Sequence, residues 1–324
     1  MTCRERFYKT MIFDKPDRVP YFEEGIRKDV LKAWYKQGLS RKTPISKLFI
    51  TDHFEEIAPE LDPMPYLDQW PNSSAELELL RERLNPDTSV RLPKNWIKKI
   101  TKINYTDQVI FLRVYRGFFL SLGVDNWSRF SQVISMLMNN PDLVHRILKI
   151  QAEFAAALAE KILKKIEVDA VVFSEPIGGN EGPLISPAMY TEFVLNSLGP
   201  LFEVIKKYNI ETIIFRTYAN SRALIPCILE NRFNCLWACE TNIQAMDYRT
   251  IRKEFGRELR LIGGIDLDAL RQGKKAIRRE IEEKVPMLVS DGGYVPMADG
   301  RIRPEISFEN YCYYRHLLEK TTRG

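Results

Sequence analysis

The chain has 324 residues, 45% of them hydrophobic and 28% charged, which is the composition of a globular protein and excludes a disordered one. Its net charge of +5 is mild, and basic residues are interleaved with acids, as in "RKEFGRELR", so nothing points to nucleic acid. The opening "MTCRERFYKTMIF" lacks the apolar core of a signal peptide, and no run of about 18 apolar residues could span a bilayer. A cytoplasmic protein without a membrane role is expected.

In chain order, the first β-rich run is "VPYFEEG" at 19–25, and the next is "QVIFLRVYRG" at 108–117. Between them, 26–107 is less regular. "DVLKAWYKQGL" predicts a helix ending near Gly38, "APELDPMPYLDQWPNSS" reads as a loop, and "SAELELLRERL" as a short charged helix. We take this stretch as an elaboration within one domain spanning 1–324.

"NNPDLV" at 139–144 breaks one helical run and starts another, "HRILKIQAEFAAALAEKILKKI", whose apolar spacing predicts a helix packed on a sheet. Five strand-like runs follow: "DAVVFSEP" (169–176), "ETIIFRTYAN" (211–220), "NCLWACET" (234–241), "LRLIGGID" (259–266) and "GYVPMAD" (293–299). Ser186 before Pro187 predicts a helix start, and Asp266 or Asp268 can cap the helix that follows 266. Strands alternating with helices in this way predict a parallel sheet, and the repetition without a linker favours a (β/α)8 TIM barrel with an N-terminal helical elaboration.

In such a barrel the strand C-termini carry the chemistry. Those ends hold Glu23, Glu24 and Arg27; Arg113, Tyr115 and Arg116; Ser174 and Glu175; Arg216, Tyr218 and Asn220; Trp237, Cys239 and Glu240; Asp266; and Asp299, Arg301 and Arg303. Arg216 reads either as a substrate anchor or as the structural partner of an acid such as Glu175 or Glu240. Arg301 and Arg303 read either as anion ligands or as solvated loop charges, and Asp266 as an acid or as a helix cap.

Five cysteines, an odd number without framework spacing, predict reduced thiols. Cys235 and Cys239 recur on one strand face roughly 13 Å apart, too far to share a metal. The three histidines, His53, His145 and His316, fall at no strand end, so neither a metal centre nor a Ser–His–Asp arrangement is expected.

Several segments resemble the uroporphyrinogen decarboxylase superfamily, in particular the branch that includes corrinoid-dependent methyltransferases. They are "RERFYKTMIFDKPDRVP", "GPLISPAMYTEFV", "NSRALIP", "LIGGIDLDAL" and "GGYVPMADGRIRPEISFENYCYY". The resemblance implies a (β/α)8 barrel over most of the chain, strongest from 165 to 318. It also implies either decarboxylation without a cofactor or methyl transfer with a separate corrinoid protein as partner.

The departures narrow this. Where zinc-dependent relatives carry a histidine and a second ligand, this chain has Arg216 and Tyr218, and the relatives' Asp-His pair appears as Asp299-Gly300. A guanidinium has no lone pair to offer a metal. The arginine-rich N-terminal segment of the true decarboxylases is not recognisable either; Arg27 is its nearest equivalent.

The leading expectation is a metal-independent, cofactor-free, decarboxylase-type enzyme acting on an anionic, carboxylate-bearing small molecule. Substrate binding is assigned to Arg27, Glu175, Arg216, Asn220, Asp299, Arg301 and Arg303, and proton transfer to Tyr218, Glu240 and Asp266. The alternatives are a methyltransferase subunit without zinc and a catalytically silent ligand-binding barrel. A homodimer is compatible with all three.

Overall fold

The computed structural model describes residues 1–94, 96, 98, 107–241 and 244–323. Seven strands form one parallel sheet in sequential order: β1 (Phe54–Ile57), β2 (Val109–Tyr115), β3 (Ala170–Glu175), β4 (Thr212–Ala219), β5 (Cys235–Thr241), β6 (Arg260–Ile265) and β7 (Tyr294–Ala298). Helices follow most strands, the longest being Pro141–Leu163, whose start at Pro141 after a helix ending at Asn139 matches the break expected at 139–144.

The sheet is curled. The ring centroids of Phe54 on β1 and Trp237 on β5 lie 5.8 Å apart. Four strand spacings in a flat sheet would separate them by about 19 Å. Alternation along each strand gives two faces. Inward side chains, among them Phe111, Val172, Ile214, Trp237, Ile262 and Met297, share one buried cluster. Outward ones such as Phe173, Phe215 and Leu236 pack in a second cluster with the covering helices.

Helix α1 (Cys3–Met11) closes the N-terminal end of this interior with Cys3, Phe7 and Met11. It is fixed there because Asp107 and Asp169, just ahead of β2 and β3, bind the Cys3 amide and the Arg4 guanidinium. Thr2 and Glu5 form a reciprocal capping box at its start. The opposite end, where the strands finish, stays open to the loops.

Two expectations about elements need correction. Residues 19–25 are not a strand of the sheet. Pro20 has no amide hydrogen, and the Tyr21 amide donates to the Asp52 carboxylate instead of to a neighbouring strand. The segment nonetheless runs extended between the sheet's two edges. The Asp52 amide donates to the Tyr21 carbonyl (3.0 Å), and the Ile302 amide to the Gly25 carbonyl (3.1 Å). Conversely, "FEEI" at 54–57, inside the supposed elaboration, is strand β1.

The helical run after Ser186 is also broken, into Pro187–Met189, a π turn at Tyr190–Val194, a short 3-10 turn and Gly199–Lys207. Pro200 removes one backbone donor at the last of these joins. Helix α2 (Lys28–Lys36) ends before Gly38, whose φ of +104° suits glycine. Among the described residues, no helix is long and apolar enough to cross a membrane.

Candidate active site at the open end of the sheet

Alternation places Glu56, Arg113, Ser174, Arg216, Tyr218 and Cys239 on inward-facing positions near the strand C-termini. Glu24 joins them from the extended segment, two residues beyond inward-facing Phe22. The curl brings β4 opposite β1, and there Arg216 grips Glu56. Its Nη1 donates to Oε2 at 2.5 Å and its Nη2 to Oε1 at 3.1 Å. The guanidinium lies 5.1 Å from the Trp237 ring centroid, and its Nε is buried without a partner. Burial alone would depress the Arg216 pKa, but the hydrogen bonds and charge of Glu56 outweigh it and raise it.

Around this pair the charges are unevenly satisfied. Arg113 approaches Glu56 through Nε at 3.5 Å, and its side chain is 34% exposed. Burial raises the Glu24 pKa, only partly offset by Arg216 and Arg301, and its Oε2 is buried without a hydrogen bond. Burial, and then the neighbouring Cys239, raise Tyr218. Cys239 itself is pushed well above its usual value by burial, which disfavours its thiolate.

A cleft of about 710 Å³ opens here. Arg113, Arg116, Ser174, Pro176 and Tyr218 line it from the strand ends, and Glu60, Asp62, Arg91 and Pro93 from the loops beyond β1. Arg91 shapes that wall and binds nothing in the cleft: its guanidinium is spent on the backbone carbonyls of Asn85 (3.0 Å), Glu60 (3.2 Å), Asp62 and Arg83. Arg116 is ion-paired with Asp62, and burial lowers its pKa to about 10. Arg113 is therefore the least committed cation facing the cleft.

The structure brings together part of the set singled out in the sequence: Arg216, Arg301 and Glu240 all act electrostatically on Glu24. Tyr218 lines the cleft, and Arg216 lies beneath its mouth, but the partner of Arg216 is Glu56, neither Glu175 nor Glu240. Glu240, in a strand irregularity with φ of +46°, points outward at 49% exposure and pairs with Arg303 at 3.3 Å. Arg301 and Arg27 are exposed, Arg27 immediately ahead of α2. The Asn220 side chain accepts from the Arg222 amide at 3.2 Å.

Three acids do structural work. Asp266 caps the helix Leu267–Gln272, accepting from the amides of Asp268 (2.8 Å) and Ala269 (3.2 Å). Asp299, pushed up to about 6 by burial, accepts from the Thr241 amide and hydroxyl and from the Leu267 amide. Glu175 faces away from the cleft into the helix layer, where the Phe118 amide (3.0 Å) and Tyr190 hydroxyl (3.1 Å) donate to it. Arg216 and Arg301 share Glu24 as an electrostatic partner, while Arg27 is exposed ahead of α2.

The donor set of the site does not suit a metal ion. Among the described residues, no three His, Cys, Asp or Glu side chains are grouped to hold a metal ion. Arg216, which stays protonated, has no lone pair to offer a metal. No chemical step is assigned to a metal here.

Comparison with known proteins agrees with this architecture. The model of the uroporphyrinogen decarboxylase (URO-D) family matches residues 125–317, and the chain belongs to that family. The fold is similar to that of a methyltransferase from Methanosarcina mazei, with a TM-score of 0.64 over 99% of both chains at 14% sequence identity. At that identity the likeness speaks to fold alone. No curated protein matches the sequence.

Proposed function

We propose that the chain is a decarboxylase-type enzyme of the uroporphyrinogen decarboxylase family that acts on a carboxylate-bearing small molecule in the cleft at the strand C-termini. The observation that carries this reading is the buried Arg216–Glu56 pair with Arg113 beside it, only partly neutralised and facing the cleft. The extended segment 19–26 is taken as the eighth stave of a (β/α)8 barrel, since its backbone bonds both to the approach to β1 and to the segment after β7.

In this reading Arg113 receives a substrate carboxylate through its fork of donors, and Ser174 lines the same wall. The carboxylate that leaves as CO2 releases its bonding pair to the adjacent carbon, and a neighbouring acid protonates that carbon. The donors assigned in this reading are Tyr218, which lines the cleft, and Glu24, on the inward face two residues beyond Phe22, both with pKa values raised by burial. Glu240, Asp266, Asp299 and Glu175 take no part in the step. Calorimetric titration with citrate and tricarballylate tests the reading: saturable binding that Arg113→Ala weakens is expected, and absence of binding by the intact protein would overturn it.

A second reading, methyl transfer with a separate corrinoid protein, rests on the full-length likeness to the Methanosarcina mazei methyltransferase. It needs an activated methyl acceptor without zinc-bound thiolate, for which the cleft supplies no soft ligand set. Co-purification with a corrinoid protein would favour it over decarboxylation.

A further inference from the structure

Away from the strand ends lies a second cleft of about 580 Å³. Its walls are α2, the loop 39–46, the approach to β1 and the C-terminal helix Phe308–Thr322. This volume lies within the range of small-molecule sites.

The cleft has three chemically distinct zones. Its body is apolar, built from Leu31, Leu39, Ile45 and Phe54. On its inner wall is Glu23, whose side chain is only 10% exposed. Tyr311 and Arg315 occupy one oxygen of Glu23, at 2.7 and 3.1 Å, while Oε1 is buried without a partner. A buried carboxylate oxygen lacking a donor costs free energy that a bound hydrogen-bond donor recovers. On the rim are Arg41 and Lys42, both exposed and without an acidic partner among the described residues. Arg41 is held over the Tyr35 ring, 5.1 Å from its centroid, which fixes its charge at the opening.

The geometry points to a second ligand site here, for an amphipathic aromatic anion: an apolar body in the groove, a polar hydrogen toward Glu23 and an anionic group at Arg41 and Lys42. The extended segment separates this cleft from the interior of the sheet. Tyr21 and Glu23 face the outer layer, and Phe22 and Glu24 face the interior. Phe54 contributes to both, lining this groove and packing against the inner cluster.

The probe is 1-anilinonaphthalene-8-sulfonate, which carries an aromatic body, an N–H and a sulfonate. Titrated into the intact chain, it is expected to show one saturable site by fluorescence. Replacing both Arg41 and Lys42 by alanine should weaken it about tenfold or more. Thr43→Trp, which fills the groove from its rim, should abolish it while the thermal midpoint is kept. Arg113→Ala should leave it unchanged, and citrate should not displace it. Non-saturable binding, binding indifferent to both rim variants, or displacement by citrate would overturn the proposal. None of these results bears on whether the first cleft binds carboxylates.

Discussion

Arg216 on β4 and Glu56 on β1 meet across a sheet in which three strand spacings would hold them about 14 Å apart if it were flat. The pair therefore depends on the curl and in turn pins it. Removing one partner leaves the other charge buried and uncompensated. Arg216→Met should cost about 3 kcal/mol of unfolding free energy, measured by urea denaturation. The double variant Arg216→Met with Glu56→Leu should recover most of that loss. A double variant as unstable as the single one would show that the pair stabilises the fold in some way beyond mutual neutralisation.

Arg113 carries a different expectation because one third of its side chain meets solvent and its approach to Glu56 is long. Arg113→Ala should change the thermal midpoint little. It should weaken citrate or tricarballylate binding by one to two orders of magnitude, the equivalent of about 1.5–3 kcal/mol for a charge-assisted contact. Equal loss of stability and binding would instead make Arg113 a structural residue.

Six of the seven strands were legible as apolar runs ending in polar residues, because burial on both faces writes itself into consecutive side chains. β1 was not. "FEEI" offers one apolar residue to each face and two adjacent glutamates, and four residues are too few for a period to emerge. The same failure hid the main partner in the site. The position of Arg216 at a strand end was readable, but which acid it meets is decided by the curl, a long-range property with no local signal. Asp266 was ambiguous for the opposite reason: a cap and a catalytic acid look alike until the helix behind it is seen. Asp52 binds both Arg18 and the Tyr21 amide, contacts across more than 30 residues that leave no local signal in the sequence.

The two candidate proton donors can be separated. Glu24→Gln keeps the shape but removes the proton. It should cut CO2 release from the best-bound polycarboxylate by about a hundredfold, with KM little changed. Tyr218→Phe should have the smaller effect if Glu24 is the donor. The reverse order would move the role to Tyr218.

Asp266 should behave as a cap. Asp266→Ala is expected to cost about 1 kcal/mol by chemical denaturation, Asp266→Asn or Asp266→Ser much less, and none of them should alter ligand binding in the first cleft. A loss of turnover in the well-folded asparagine variant would restore Asp266 to the catalytic group.

Glu175 sets a pH dependence on the fold itself. It is 1% exposed with no cation paired to it among the described residues, and burial lifts its carboxyl from 4.5 to about 8, only partly offset by the Phe118 amide and Tyr190 hydroxyl. A carboxyl whose native pKa lies above its unfolded one binds more protons folded than unfolded between the two values. The stability it contributes is full below pH 4.5, declines as pH rises, and is gone above about 8. Glu175→Gln keeps a neutral acceptor and removes that slope. Its thermal midpoint should therefore match the parent near pH 4.5 and exceed it by about 2 °C or more at pH 8, read by circular dichroism across the series. A gap that stays constant with pH would mean that the Glu175 pKa is the same in the folded and unfolded states and is not raised by burial.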